Sequence, residues 1–334
     1  MREPSFWWQE RGTYSGLLAP FAALYGAVAA QRMARPGAHA ALPVICVGNF
    51  TLGGSGKTPT AMAIAQLLIA RGERPCFLTR GYGGRLKGPV RVDAKAHRAE
   101  DVGDEPLLLA RIAPTIVAHD RAAGAEVAKG AGANVVVMDD GLQNPSLEKN
   151  LALAVVDGKR GVGNGCVFPA GPLRAPLAAQ LERTHALFVI GKISGATDVI
   201  AAADTRRIPV FHAMLEPDRA AIAALAKRKV LAFAGIGDPE KFFATLKAAG
   251  IDAPVEKAYP DHHRYTAADA AALIAQAEHG DLKLLTTEKD RARMAGDDAL
   301  AALMARSQAL PVMLALEDES GFEKFLLDKI ARSA

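Results

Sequence analysis

A lysine and a threonine closing a glycine-rich loop can handle phosphate, and residues 48–60, GNFTLGGSGKTPT, supply that pairing. Gly53, Gly54 and Gly56 let successive backbone N–H groups turn toward one anion, with the positive end of a helix dipole behind them. Lys57 can then reach β- and γ-phosphate oxygens, and the Thr58 hydroxyl can bind Mg²⁺. The usual spacing calls for a glycine five residues before Gly56, where this chain has Thr51. Glycine is helpful there but not indispensable. The expected nucleotide-binding set is therefore Thr51, Gly53, Gly54, Ser55, Gly56, Lys57 and Thr58. A tight turn with an incidental lysine is the alternative, and the strand before the loop and the helix after it argue against that.

Carboxylates are the second requirement. The run VVVMDD, residues 135–140, is an apolar strand ending in Asp139 and Asp140, where an acid can hold Mg²⁺ directly or through water. Capping of the next turn is the other use for such a pair. A guanine-reading stretch would place a lysine second, whereas TEKD, residues 287–290, carries it one place late, so ATP is favoured over GTP. Thr287, Glu288 and Asp290 suit a capped turn as well as a site. Asp104 opens a helix in DVGDEPLLLARIA and reads equally as an N-cap or as a base. Asp261, His262 and His263 lie together in the loop YPDHHRYT.

These groups need a scaffold that brings strand ends together. From residue 42 onward, short apolar strands alternate with helical stretches, the pattern of a mainly parallel α/β sheet with crossover helices. LPVICV precedes the glycine loop, and TPTAMAIAQLLIARG follows it as a helix with Pro59 in the tolerant first turn. After IPVFHAML the pattern restarts at KVLAFAGIGDPEKFFATLKAAG, which predicts a second, smaller α/β lobe. The expected division is an N-terminal segment at 1–36, a P-loop domain at 37–220 and a C-terminal lobe at 221–334.

The 334 residues are half hydrophobic and 23% charged, as in folded globular proteins. A net charge of +4 without a lysine or arginine block predicts no nucleic-acid partner; an anionic ligand or membrane surface suffices. Three scattered cysteines form neither a disulfide framework nor a zinc site. Residues 17–30 form an apolar run of 14, short of the roughly 20 needed to cross a bilayer. Trp7 and Trp8 before it and Arg32 and Arg35 behind it predict a helix lying at a membrane interface. A signal peptide and an ordinary core helix are the rival readings.

Taken in order, VGNFTLGGSGKTP, TRGYGGR, VGDEPLLLAR, MDDGLQ, FPAGPLR, AGIGDPEKFF, YPDHHRY and TTEKD, spanning residues 47–290, resemble the tetraacyldisaccharide 4′-kinase family of lipid A biosynthesis in Gram-negative bacteria. That family also carries threonine at the first loop position. The resemblance implies transfer of the ATP γ-phosphoryl group to the 4′-hydroxyl of an acylated glucosamine disaccharide 1-phosphate, with Mg²⁺. The resemblance further implies lipid IVA as the product, made at the cytoplasmic face of the inner membrane by a peripheral or monotopic enzyme. It assigns Asp104 as catalytic and His262 as its partner, across two lobes, and sets Gln143 beside the metal-binding aspartates. Arg80 and Arg174 match basic positions that could hold the lipid 1-phosphate or the nucleotide phosphates. Two positions depart from the family: Asn144 stands where histidine is frequent, and Ala175 where an acid follows GPLR. The competing readings are a P-loop NTPase coupling hydrolysis to metal-cofactor delivery, and a non-catalytic nucleotide-sensing membrane scaffold.

Overall fold

The computed structural model describes residues 3–331. Among these, the strands run in chain order β1 (Val44–Asn49), β2 (Pro75–Thr79), β3 (Val90–Arg91), β4 (Thr115–Val117), β5 (Val135–Asp139), β6 (Leu151–Asp157) and β7 (Ala186–Ile190). They continue with β8 (Val210–Pro217), β9 (Lys229–Ala234), β10 (Asp252–Ala258), β11 (Lys283–Thr287), β12 (Ser307–Leu310) and β13 (Val312–Leu316). Nine of them form one sheet in the order β13-β8-β7-β6-β1-β5-β2-β4-β3, and four form a second in the order β10-β9-β11-β12. Both are parallel apart from two pairs at the ends of the large sheet, β3 with β4 and β13 with β8. The chain is thus α/β with a mainly parallel sheet and a smaller second lobe.

The strands of a parallel sheet covered on both faces must be apolar throughout, and β1, β2, β5 and β7 are buried along their whole length. Strand β1 lies between β5 and β6, with Val47 opposite Asp139 on one side and Leu153 on the other. Here the strand order reverses, and loops leaving the carboxyl ends of neighbouring strands splay apart to leave a crevice. The glycine loop, the Asp139–Asp140 pair and the loop after β6 all open into it.

One expected boundary changes. Residues 312–331, assigned by sequence to the C-terminal lobe, return to the first one. Strand β13 pairs antiparallel with β8, and the helix Glu319–Ala331 buries Phe322 and Leu326 in the core shared by Ile64, Leu68 and Phe188. The Phe322 ring stands edge-on to Phe188 at 4.7 Å and to Phe211 at 5.1 Å. The C-terminal lobe is therefore inserted between β8 and β13. Its own core packs Phe243, Leu246 and Leu285 on one face of the small sheet and Phe233, Leu273 and Met294 on the other.

The N-terminal helix spans Thr13–Met33, 21 residues, longer than the apolar run predicted for it. At about 1.5 Å per residue it extends about 31 Å, and by length and composition it is apolar enough to cross a membrane. It also packs on the protein: Ala22 and Gly26 are buried, and a Cβ on Gly26 would stand 3.5 Å from Pro176 and 3.6 Å from Val167. Tyr14, Leu17, Phe21, Leu24 and Val28 recur at helical spacing as an exposed stripe. Trp7, expected at headgroup level, is instead buried, its indole N–H donating to the Pro169 carbonyl at 3.1 Å. Trp8 donates to Glu3 at 3.0 Å and lies beneath the Arg160 guanidinium.

Truncating Phe322 to alanine removes a fully buried ring from the large lobe and should cost about 3–5 kcal/mol. Urea unfolding followed by the fluorescence of Trp7 and Trp8, both packed on that lobe, should register the loss; an unchanged transition would contradict the chain path described.

Candidate functional site

The glycine loop is built as a cradle. Gly53 and Gly56 adopt φ values of 98° and 92°, in the left-handed region that disfavours side chains, and Gly56 caps the helix Lys57–Ala70. A Cβ on Gly56 would also meet Ile190 at 2.7 Å. Thr51 is not among the residues at positive φ; it forms an isolated antiparallel bridge with Leu173, and its carbonyl accepts from Arg174 Nε at 2.8 Å. That extended conformation explains why a β-branched residue serves where the usual spacing has glycine. Asn49, fully buried at the end of β1, braces the loop from below, donating to the Gly53 carbonyl at 3.3 Å and accepting from Lys57 Nζ at 3.2 Å. Ser55 is buried with its hydroxyl unpartnered.

Four acids face this loop or stand directly behind it. Asp140 lies at φ 54°, with its backbone N–H on the Val47 carbonyl at 2.8 Å, and pairs with Arg174 at 2.8 Å and Lys57 at 3.8 Å. Burial disfavours its charge, but Lys57 and Arg174 outweigh that and hold its pKa below the usual carboxylate range. Asp139 is the opposite case. It is 1% exposed, neither carboxylate oxygen has a hydrogen-bond partner, and burial reinforced by Glu105 and Asp140 raises its pKa to about 7. A buried carboxylate with both oxygens unsatisfied is costly unless a cation completes it. Glu105 accepts from the Thr58 hydroxyl at 3.4 Å and from Lys289 Nζ at 2.6 Å, and the lysine charge lowers its pKa against the cost of burial. Among the described residues no three acidic, histidine or cysteine side chains form a ready-made metal cage. The donor set of Thr58 hydroxyl and Asp139 carboxylate instead fits a hard divalent cation that keeps most of its shell as water and phosphate.

The fourth acid, Asp104, lies where the lobes meet. Gly103, at φ 92°, turns the chain into the helix Asp104–Leu109, and the aspartate is only 4% exposed. From the other lobe, Arg293 reaches Asp104 Oδ2 with Nε at 2.7 Å and Nη2 at 2.6 Å, and His262 Nδ1 approaches the same oxygen at 3.5 Å. Burial opposes the aspartate's charge, yet His262 and Arg293 together hold its pKa well below the usual range. The contact with Asp104 raises the His262 pKa against its own burial. His262 sits at φ 55°, its N–H on the Gly235 carbonyl at 3.0 Å. The neighbouring His263 stacks on Tyr259 at 4.6 Å and meets Asp269 at 3.2 Å, which fixes the loop that presents His262. An apolar cluster containing Val102, Leu107, Val117 and Ala292 seals this junction.

The sequence-expected residues are thus placed unequally. Thr51, Gly53, Gly54, Ser55, Gly56, Lys57 and Thr58 form one loop, with Asp139 and Asp140 against it and Asp104 beside His262. Arg174 joins the loop to Asp140, so its guanidinium is already engaged. Arg80 lies exposed one residue past β2, without a hydrogen bond or ion pair to the described residues. Gln143 departs from its expected place at the metal: its amide N–H group donates to the Asn49 carbonyl and to Gln180 Oε1, both at 2.7 Å, which makes it a brace under the loop. Asp290 is buried and accepts from Gly235 N–H at 3.1 Å and from Thr287 at 2.6 Å, while pairing with Arg293. Glu105, Lys289, Arg293 and Asn49 escaped the sequence reading. The only sequence signal for them was position: Asn49 at the entry to the glycine loop, Glu105 beside Asp104, and Lys289 and Arg293 in or just after the TEKD turn.

The Asp104–His262 contact has a measurable consequence. Because the folded-state pKa of His262 is raised, the pair stabilises the protein below the unfolded histidine value of ~6.5 and loses that contribution as pH rises through the folded value. For Asp104, whose pKa is depressed, the stabilisation is present above ~3.9 and is lost on acidification. An NMR titration of His262 should give a midpoint above ~6.5 that drops in Asp104→Asn; an unchanged midpoint would refute the coupling.

Comparison with known proteins covers nearly the whole chain. The family described as tetraacyldisaccharide-1-P 4′-kinase, LpxK, matches residues 14–331. A tetraacyldisaccharide 4′-kinase of Nitrobacter winogradskyi is 52% identical over 332 residues, covering 99% of this chain and 98% of that protein. One from Methylobacterium sp. strain 4-46 is 57% identical over 312 residues, covering 93% and 94%. Among solved structures, LpxK from Aquifex aeolicus in complex with ATP superposes with a TM-score of 0.73 at 28% identity, covering 95% of this chain and 99% of that one. With the cradle, the paired acids and the inter-lobe aspartate already in place, the chain belongs to the tetraacyldisaccharide-1-P 4′-kinase family.

Proposed function

We propose that the protein transfers the γ-phosphoryl group of ATP to the 4′-hydroxyl of a tetraacylated glucosamine disaccharide 1-phosphate, yielding lipid IVA in lipid A biosynthesis. The observation that carries this reading is the convergence of the glycine loop, the unpartnered Asp139 and the Asp104–His262 pair around one crevice. Phosphoryl transfer needs positioning and charge neutralisation more than covalent help from the protein. Lys57, whose pKa is lowered by burial against the pull of Asp140, is placed to reach the β- and γ-phosphates, and the loop N–H groups to hold the chain behind them. Thr58 and Asp139 would hold Mg²⁺, which when bound neutralises charge on the β- and γ-oxygens.

Asp104 is placed to accept the 4′-hydroxyl proton as the oxygen bonds to phosphorus and the bond to the ADP oxygen breaks. A carboxylate held ionised by Arg293 and His262 is a weak base, which suits a loose transition state in which the proton leaves late. His262 orients the carboxylate toward the acceptor. Arg80, exposed and uncommitted, is the better placed of the two arginines to meet an anionic group of the lipid, since Arg174 is tied to Asp140 and Thr51. The N-terminal helix, its exposed stripe outward and its other face on Val167 and Pro176, would seat the enzyme on the cytoplasmic face of the inner membrane. A hydrolase delivering a metal cofactor, or a non-catalytic scaffold, leaves the buried Asp104–His262 junction without a task.

With the acylated disaccharide 1-phosphate in detergent micelles and labelled ATP, the wild-type protein should form labelled lipid. Lys57→Ala should abolish transfer, and Asp104→Ala should lower kcat by at least ~10²-fold while nucleotide binding persists. Absence of transfer by wild type would overturn the assignment. Asp139→Asn should raise the Mg²⁺ concentration for half-maximal rate by more than the ~10-fold typical of disturbing a ligand's outer partners; an unaltered Mg²⁺ dependence would remove Asp139 from that role.

A further inference from the structure

The glycine loop is covered as well as cradled, and its cover comes from two distant parts of the chain. From the amino end, Glu3 extends over Gly53 so closely that a Cβ there would collide with its carboxylate. From the inserted lobe, the Gly235–Asp238 loop arrives: a Cβ on Gly237 would stand 3.8 Å from the Gly54 nitrogen. One side chain joins these pieces. Arg160, on the loop after β6, sends Nη2 to Asp238 at 2.8 Å and Nη1 to Glu3 at 3.3 Å, and its guanidinium lies 4.9 Å from the centre of the Trp8 ring. Its backbone N–H donates to Asp157 at 3.2 Å, and Asp157 pairs in turn with Lys241 of the inserted lobe at 3.0 Å.

We infer that Arg160 is a positioning residue for the phosphoryl-transfer site, holding the Gly235–Asp238 loop and the N-terminal segment over the phosphate cradle. The inference rests on the kinase reading and adds to it a residue that touches neither substrate nor metal. Three features carry it. The two carboxylates, Glu3 and Asp238, come from distant parts of the chain, the amino-terminal segment and the inserted lobe, and both pair with this one cation. The separate nitrogens of a planar guanidinium address them simultaneously, which a lysine ammonium cannot reproduce in the same geometry. And the loop being held is anchored at its other end by the site itself, since Gly235 donates to Asp290 and accepts from Arg293 and His262. Arg160 thereby completes a run of contacts from the catalytic junction, across the cradle, to the segment that leads into the apolar helix. Without it, Glu3 and Asp238 would keep only the Trp8 and Lys241 N–H bonds and lose the cation that balances their charge beside the cradle.

The test is a titration of the full-length protein with a fluorescent non-hydrolysable ATP analogue, together with steady-state kinetics. Arg160→Gln should weaken binding by about fivefold or more, the scale of a partly exposed ion pair. It should raise the KM for ATP while kcat at saturating ATP and the thermal midpoint stay near wild type. Arg160→Lys should not restore affinity. Asp238→Asn keeps the helix cap, since asparagine caps as well as aspartate, and should reproduce the loss; the double variant should lose no more than either single one. Wild-type affinity in Arg160→Gln, or losses that add in full, would overturn the inference. A wild-type enzyme that binds the analogue without transferring phosphate would strike the kinase reading and leave this result standing.

Discussion

A buried ion pair between two lobes governs this molecule: Asp104 from one, Arg293 from the other, both under a tenth exposed. Removing either partner would strand a charge in a dry interface, at a cost of about 3–5 kcal/mol. The pair therefore sets where the inserted lobe sits and, through it, where the Gly235 loop, His262 and Lys289 come to rest. It also sets the charge state of the acid. A carboxylate with a permanent cation at its back stays ionised across the physiological range, and a helix start behind it favours the same charge state. Asp104 is itself part of the interface, so the lobes cannot shift without disturbing the acid between them.

The charges around the glycine loop form a second balance. Lys57, Arg174 and Lys289 face Asp140, Glu105 and Asp139, and each of the first two acids has a cation within reach. Asp139 has none. Its raised pKa and its bare oxygens express one fact, that the protein alone leaves this group unfinished. Asn49, Gln143 and Gln180 add a layer of neutral hydrogen bonds beneath, stiffening the loop without altering its charge.

Much of this was legible in residue order. Apolar strands followed by glycine or acidic turns announce a parallel sheet with its chemistry at the strand ends, and residues 42–60 and 135–140 do so plainly. Apart from the Asp104–His262 pair, which the family resemblance supplied, what escaped was whatever depends on pairs distant in sequence. Arg293 is one arginine in a helix of mixed charge until Asp104, 189 residues earlier, is brought against it. Glu105 looks like helix-start chemistry beside a better candidate. Gln143 follows two aspartates, which suggested a metal, but its amide faces the Asn49 carbonyl instead. The return of residues 312–331 to the first lobe was hidden because an edge strand and an amphipathic helix have no address of their own; Phe322 finds its place only when Phe188 and Phe211 leave a slot for it.

That returning segment bears on how the chain matures on the ribosome. The face of the large sheet lined by Ile64, Leu68 and Phe188 stays open until Phe322 and Leu326, synthesised after the inserted lobe, have emerged to cover it. The inserted lobe, synthesised in between and closed around its own sheet, can fold before the lobe that carries it. Nascent molecules would thus pass through a stage in which the inserted lobe is closed while the large lobe still lacks the helix Glu319–Ala331.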